Sequence, residues 1–224
     1  MNAQEFRAAT RIVLVDDHAV VRDGFRSLLE KQPGMRVVGE AADGESAYRL
    51  CLEDVPDVVV IDLSMPGVSG IETVRRLRQR FPALGILVFS MHQDGAFVVQ
   101  AVRAGANGFV TKTSPPEVLV QAVIEVRQGR RALSPDVAQA LAVDHLSGRH
   151  PMLASLSPRE FEILRALIEG RSKAEIAASL HVSEKTVANT HYQIKRKLGV
   201  ATDIELTKLA LQWRIVELRG ESQA

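Results

Sequence analysis

The stretch LVDDHAVVRDG, residues 14–24, runs from apolar residues into two adjacent carboxylates, Asp16 and Asp17, and then His18. The two residues before the acids close an apolar run, RIVLV (11–15), which has the composition of a buried strand. The residues after them carry apolar positions at spacings of three and four, as a helix packed on one face does. A strand that ends on two like charges and turns at once into a helix has an arrangement to explain. Neighbouring carboxylates raise each other's pKa unless a cation offsets them.

The same alternation recurs down the first 128 residues. Further strand-like runs are MRVVGEA (35–41), DVVVID (57–62), LGILVFS (84–90) and NGFVTK (107–112). Helical patterns lie between them, and PPEVLVQAVIEVRQG follows the last. Five β-strands alternating with five α-helices predict a five-stranded parallel α/β sheet, doubly wound and flavodoxin-like, with helices on both faces and right-handed crossovers. Residues 10–128 form this domain. Residues 129–154, with Gly, Pro, Ser and His and one short helical pattern after Ser134-Pro135, read as a linker holding a small helix. Beyond it the β signal ends, and residues 155–217 read as a small all-α domain of four helices. Ser157-Pro158, Ser172 and Ser183 open three of them, with Asp203 as the cap of the last.

The bulk composition sets limits. At 224 residues, 46% hydrophobic and 25% charged, the chain has material for two globular cores. No apolar run approaches the roughly 20 residues of a membrane helix, and the N-terminus lacks a signal-peptide core, so a cytoplasmic protein without a membrane association is expected. The single cysteine, Cys51, excludes an internal disulfide and a multi-thiolate metal site. The formal net charge is only +1, but Lys185, Lys195, Arg196 and Lys197 fall in a stretch, 185–202, that has no acid.

In an open parallel sheet, ligands bind beyond the carboxyl ends of the strands, where the strand order reverses. Asp16 and Asp17 close the first strand, Asp62 the third, Ser90 the fourth, and Thr111-Lys112 the fifth. Three converging carboxylates with hard oxygen donors suit Mg²⁺. With a metal and an ammonium beside it, a carboxylate such as Asp62 can act as a nucleophile toward a phosphoryl group. Taken singly, such Asp and Ser residues cap the following helices; their coincidence at several strand ends favours a site.

In the C-terminal part, SKAEIAASLH and SEKTVANTHYQIKRKLG, joined by LHVSE, have helix-turn-helix geometry, in which the second helix can enter a major groove. Ile176, Ala177 and Leu180 would share a core with Val187, Ile194 and Leu198. Lys185, Thr186, Ala188, Asn189, His191, Tyr192, Lys195 and Arg196 would face out, mixing phosphate-reaching cations with side chains able to touch base edges. A helical hairpin that docks protein is the competing reading.

These residues carry a resemblance. LVDDH, DLSMPGVSG (62–70), Ser90 and GFVTK (108–112) resemble the receiver domain of two-component response regulators. The resemblance implies that Asp62 is the phosphoacceptor, with Asp16, Asp17, Asp62 and the Ser64 carbonyl holding Mg²⁺. It also makes Lys112 the phosphate-pairing lysine, Ser90 the switch hydroxyl, and Phe109 an aromatic that swings inward on activation. Residues 156–200, with LSPRE, EIA, SEKTV and KLGV, are similar to the LuxR-type DNA-binding domain of the NarL/FixJ class. Many members have Lys just after the Thr-Val and an aromatic or His two positions later, where this chain has Ala188 and Thr190. The groove-facing set is therefore Lys185, Thr186, Asn189, His191 and Lys195. The last helix, 203–217, resembles the dimerising helix of the class, and Trp213 is core or interface.

The function that follows is regulation of transcription rather than catalysis. A sensor histidine kinase would phosphorylate Asp62, and this would control homodimerisation and binding to promoter DNA, with RNA polymerase as a further partner. Two alternatives are a DNA-binding protein with a passive, never phosphorylated receiver, and a Mg²⁺-dependent phosphohydrolase. The second would need an acid two residues after Asp62, where Ser64 stands.

Overall fold

The computed structural model describes residues 9–65, 68–147, 155–213 and 215. The expected linker stretch 148–154 and part of the expected helix 203–217 lie outside these residues. The chain divides into two compact units, residues 1–93 with 101–138, and residues 94–100 with 139–224.

The sheet is built from β1 (Thr10–Val15), β2 (Met35–Ala41), β3 (Val58–Ile61), β4 (Gly85–Ser90), β5 (Gly108–Thr111) and β6 (Ala132–Leu133). All pairs are parallel and the order is β2-β1-β3-β4-β5-β6. Sequence reading expected five strands. The sixth falls in residues assigned to the linker, because two residues are too short to show alternation against a Gly- and Arg-rich background. Every residue of β3 and β4 is buried, as central strands covered on both faces require. The helices α1 (Ala19–Glu30), α2 (Gly44–Glu53), α3 (Gly70–Arg80), α4 (Gly95–Ala104) and α5 (Pro116–Arg127) follow the first five strands in turn. Ile12, Leu14, Val58, Val60, Leu87, Phe89 and Val110 from the strands pack with Leu119, Val123 and Val126 of α5 in one core. Cys51 is buried on α2, and burial pushes its thiol up to about 11, as a packed small side chain.

One glycine places the third strand end. A Cβ on Gly70 would lie 2.4 Å from the Asp62 carbonyl oxygen and 2.5 Å from Leu63 Cα. The start of α3 therefore presses directly on the backbone that presents Asp62, and Gly70 serves close approach more than a turn.

The linker pattern after Ser134-Pro135 forms α6 (Pro135–Ser147). The second unit contains α7 (Pro158–Ile168), α8 (Lys173–Ser179), α9 (Glu184–Leu198) and α10 (Asp203–Gln212). Ser157 with Glu160 and Ser172 with Glu175 form capping boxes, and Ser183 caps α9. The cap of α10 is Thr202, paired with Glu205, and not Asp203, which begins the helix. Gly199, at φ +68°, ends α9 in the left-handed conformation. Helix α10 stops at Gln212, short of the expected 217. Ile176, Ala177, Leu180, Val187, Ile194, Leu198, Leu206 and Ala210 are all buried, as is Trp213. Lys197 Nζ holds the buried Glu160 at 2.7 Å, tying α9 to α7.

Replacing Gly70 by Ala should force α3 away from the Asp62 backbone and cost about 1–3 kcal/mol of stability. Urea unfolding of the full chain checks this; an unchanged midpoint would show that the contact relaxes freely.

Candidate phosphoacceptor site and nucleic-acid interface

The order of the sheet reverses between β1 and β3, and the two strand ends there carry Asp16 and Asp62. Both are buried, at 6% and 3% exposure. Lys112, which follows β5, reaches between them. Its Nζ lies 2.5 Å from Asp16 Oδ2 and 2.8 Å from Asp62 Oδ2. Burial alone would lower the Lys112 pKa, but hydrogen bonds and charge from Asp16 and Asp62 outweigh it and hold the pKa above its ordinary value. The ammonium is therefore protonated at neutral pH, and it offsets part of the charge of two carboxylates that would otherwise repel.

The remaining oxygens point to a further ligand. Asp62 Oδ1 and Asp17 Oδ1 are buried without a hydrogen bond. Asp17 Oδ1 is 2.9 Å from His18 Nδ1, but the pair is not aligned for one. Asp16, Asp17 and His18 offer donor atoms that all lie within 4.8 Å of one another. Buried carboxylate oxygens without a hydrogen-bond donor are a ligand set that fits a small hard cation. His18 occupies the position before α1 and its side chain makes no capping bond; its backbone N–H donates to Asp16 Oδ1 at 2.8 Å. Ser64 is exposed two residues after Asp62, and its Oγ is 3.0 Å from His92 Nε2.

The other expected residues surround this centre. Ser90, fully buried at the end of β4, stands opposite Thr111 in the β4–β5 register. Phe109 is also fully buried, so its ring is already inward in this structure. Sequence reading missed Arg22. Its Nη1 donates to the Asp16 carbonyl at 2.5 Å, and its Nε is 3.3 Å from Glu40 at the end of β2. Its contact is to a backbone carbonyl six residues away, and the helical pattern of α1, which carries both Arg22 and Arg26, does not single it out. Beneath the carboxylates, Phe25 and Phe89 meet edge to face at 4.4 Å between centroids.

On α9 the expected groove-facing set divides. Lys185, Thr186 and Asn189 are exposed. His191 is not: it is buried with Val187, Ile194 and Leu198, which share its inner stripe at spacings of four and three. Its Nε2 lies 3.0 Å from Asp203 Oδ1, and Lys195 Nζ is 2.9 Å from the same oxygen. Burial lowers the His191 pKa more than Asp203 raises it. His191 is thus corrected to a packing residue at the α9–α10 junction, and Lys195 is drawn toward the same acid. Tyr192, 62% exposed, joins Gln193 and Arg196 on the outer face instead.

Residues 12–124 match the family of response regulator receiver domains, and residues 154–210 match the luxR family of bacterial regulatory proteins. The response regulator UvrY of Escherichia coli K12 is 36% identical over 203 residues, covering 90% of this chain and 93% of UvrY. The oxygen regulatory protein NreC of Staphylococcus epidermidis is 38% identical, with 92% and 99% covered. Among solved structures, a LuxR-family response regulator from Aurantimonas sp. SI85-9A1 is 52% identical with a TM-score of 0.61, over 62% of this chain and 99% of that one. RcsB of Salmonella enterica serovar Typhimurium, bound to promoter rprA in the presence of phosphomimetic BeF₃⁻, is 29% identical with a TM-score of 0.72, over 90% and 98%.

Asp17→Asn should weaken Mg²⁺ binding by at least about tenfold, because ligand charge count sets affinity at a carboxylate site. Calorimetric titration of Mg²⁺ measures it, and equal affinity would remove Asp17 from the donor set.

Proposed function

The chain belongs to the response regulators that join a receiver to a LuxR-type DNA-binding domain, and from that premise we propose that phosphorylation of Asp62 controls its dimerisation and its sequence-specific binding to promoter DNA. The observation that carries this reading is the buried pair Asp16–Asp62 held by one ammonium, with the second Asp62 oxygen left without a partner. Like its relatives, the chain is a transcription regulator and not an enzyme, so the phosphohydrolase alternative falls.

Asp62 Oδ1 is the free nucleophile. It attacks the phosphorus of a phosphohistidine on a sensor kinase; the new O–P bond forms as the P–N bond breaks, and the donor imidazole leaves with its electron pair and takes up a proton. Asp16, Asp17, Asp62 and the Ser64 carbonyl would hold Mg²⁺, which when bound supplies positive charge for the phosphoryl oxygens. Lys112 exchanges an Asp62 carboxylate oxygen for a phosphoryl oxygen while remaining near Asp16. Ser90 can donate its hydroxyl to the phosphoryl group, and Phe109 lies buried on the adjacent strand, β5. Arg22 keeps the Asp16 backbone in place through its carbonyl.

DNA is read from α9. Lys185, Thr186 and Asn189 lie on the exposed face, and Tyr192 and Arg196 extend it; Lys195 contributes when it parts from Asp203. Asn189 suits a bidentate contact to adenine, and Lys185 a phosphate. A two-fold dimer on a pseudo-palindromic site fits a recognition helix of this kind. Support comes from RcsB, whose structures include promoter complexes and two dimers bound to two DNAs. RNA polymerase is the further partner of a bound regulator. The protein works in the cytoplasm, where its DNA lies; among the described residues no helix is long and apolar enough to cross a membrane.

Treatment with acetyl phosphate and Mg²⁺ should tighten DNA binding by wild type and leave Asp62→Asn unchanged. An equal gain in both would move the control away from Asp62, and no gain in a wild type shown to be phosphorylated would favour the passive receiver. Asn189→Ala should cost about 1–3 kcal/mol at the base it reads, and Lys185→Ala should reduce the salt slope by roughly one phosphate. Affinity measured across salt concentrations and site variants separates the two, and a uniform loss for Asn189→Ala would deny it a reading role.

A further inference from the structure

The start of the linker is fastened to the strand end that carries Lys112. The sixth strand adds to β5: Ala132 N–H donates to the Asn107 carbonyl at 3.2 Å, and Ser134 N–H to the Phe109 carbonyl at 3.0 Å. Ser134 is fully buried, and its Oγ accepts from Thr111 N–H at 3.4 Å. Helix α6 then begins at once, with the Ala138 N–H bonded to the Ser134 carbonyl and Val137 fully buried. Its first-turn acid, Asp136, turns back toward β5. Thr111 Oγ1 donates to Asp136 Oδ2 at 2.6 Å. Ser114 Oγ lies 2.8 Å from Thr111 Oγ1 and 3.4 Å from Asp136 Oδ1. Burial raises the Asp136 carboxyl, but hydrogen bonds from Ser134 and Thr111 more than offset it and hold it below the usual range. The clasp is therefore charged at neutral pH, and a charged acceptor makes the stronger bond.

Thr111 is fully buried. Lys112 follows it directly, its N–H bonded to the Ser90 carbonyl at 2.9 Å and its ammonium between Asp16 and Asp62. The side chain that must rearrange on phosphorylation and the side chain that holds α6 are thus consecutive residues of one short strand end. Nothing in helix propensity requires this link: Asp136 would favour the positive end of α6 without any partner on β5.

We propose that the Thr111–Asp136 clasp is the output coupling of the receiver, passing the displacement of Lys112 on phosphorylation to the first turn of α6. The coupling rests on the phosphoacceptor reading of Asp62. It needs no new ligand, only a strand end with two arrangements, one set by the Asp16–Lys112–Asp62 bridge and one by the phosphoryl group. Asp136 acts through Thr111 and touches no reacting atom, so it is a positioning residue.

The test is amide hydrogen exchange of residues 137–147 in the full chain, with and without acetyl phosphate and Mg²⁺, with the phosphoryl addition read by intact mass on the same samples. In wild type, phosphorylation should change exchange in the first turns of α6 by at least about threefold. Thr111→Ser, which keeps the hydroxyl, should preserve that response. Asp136→Ala, at a half-buried position, should speed exchange at rest and abolish the response while the phosphoryl group still arrives. An undiminished response in Asp136→Ala would overturn the coupling, as would a phosphorylated wild type whose α6 does not respond. Absence of any phosphoryl addition to wild type would instead overturn the reading of Asp62 on which the coupling stands.

Discussion

The Lys112 ammonium between Asp16 and Asp62 is the constraint around which the receiver is arranged. Two carboxylates buried at the ends of adjacent strands are costly without a counter-charge. One lysine supplies it from a third strand, two positions across the sheet. That is possible only because the strand order reverses between β1 and β3 and brings their ends together. Gly70 gives up a side chain so that α3 can press on the Asp62 backbone, and Arg22 sets a half-buried guanidinium on the Asp16 carbonyl. The bridge offsets only part of the charge and leaves acceptor oxygens open on Asp62 and Asp17. A site that keeps an excess of negative charge and still has unbonded acceptors is poised to take up a cation and exchange partners, as a switch requires.

Much of this was legible in the sequence, because strand ends fall where apolar runs stop. Asp16, Asp17, Asp62, Ser90 and Lys112 each follow such a run, and the parallel topology then gathers them without further information. What escaped was of two kinds. The sixth strand is two residues long and carries no period, so only its pairing with β5 reveals it. Arg22 and the Thr111–Asp136 bond are contacts across 6 and 25 residues that no local pattern encodes.

His191 is a different case, since its position was legible. Val187, His191, Ile194 and Leu198 repeat at four, three and four, the spacing of a packed stripe, and the structure buries all four. Reading His191 as groove-facing gave its chemistry more weight than its register. Its burial leaves the outer face of α9 to Lys185, Thr186, Asn189, Tyr192, Gln193 and Arg196, a surface with two planar amides and one aromatic ring among its cations. The capping boxes of α7, α8 and α10 each satisfy two helix-end donors, which steadies short helices that present this surface.

The central claim is that the open oxygen of Asp62 accepts a phosphoryl group at a carboxylate site that requires a divalent cation. The most direct measurement is to treat the full chain with acetyl phosphate, with Mg²⁺ or with a chelator, reduce the acyl phosphate with borohydride, and map the modified residue by peptide mass spectrometry. The account predicts modification at Asp62 that depends on Mg²⁺. Modification at another carboxylate, or equal modification in the chelated sample, would contradict it.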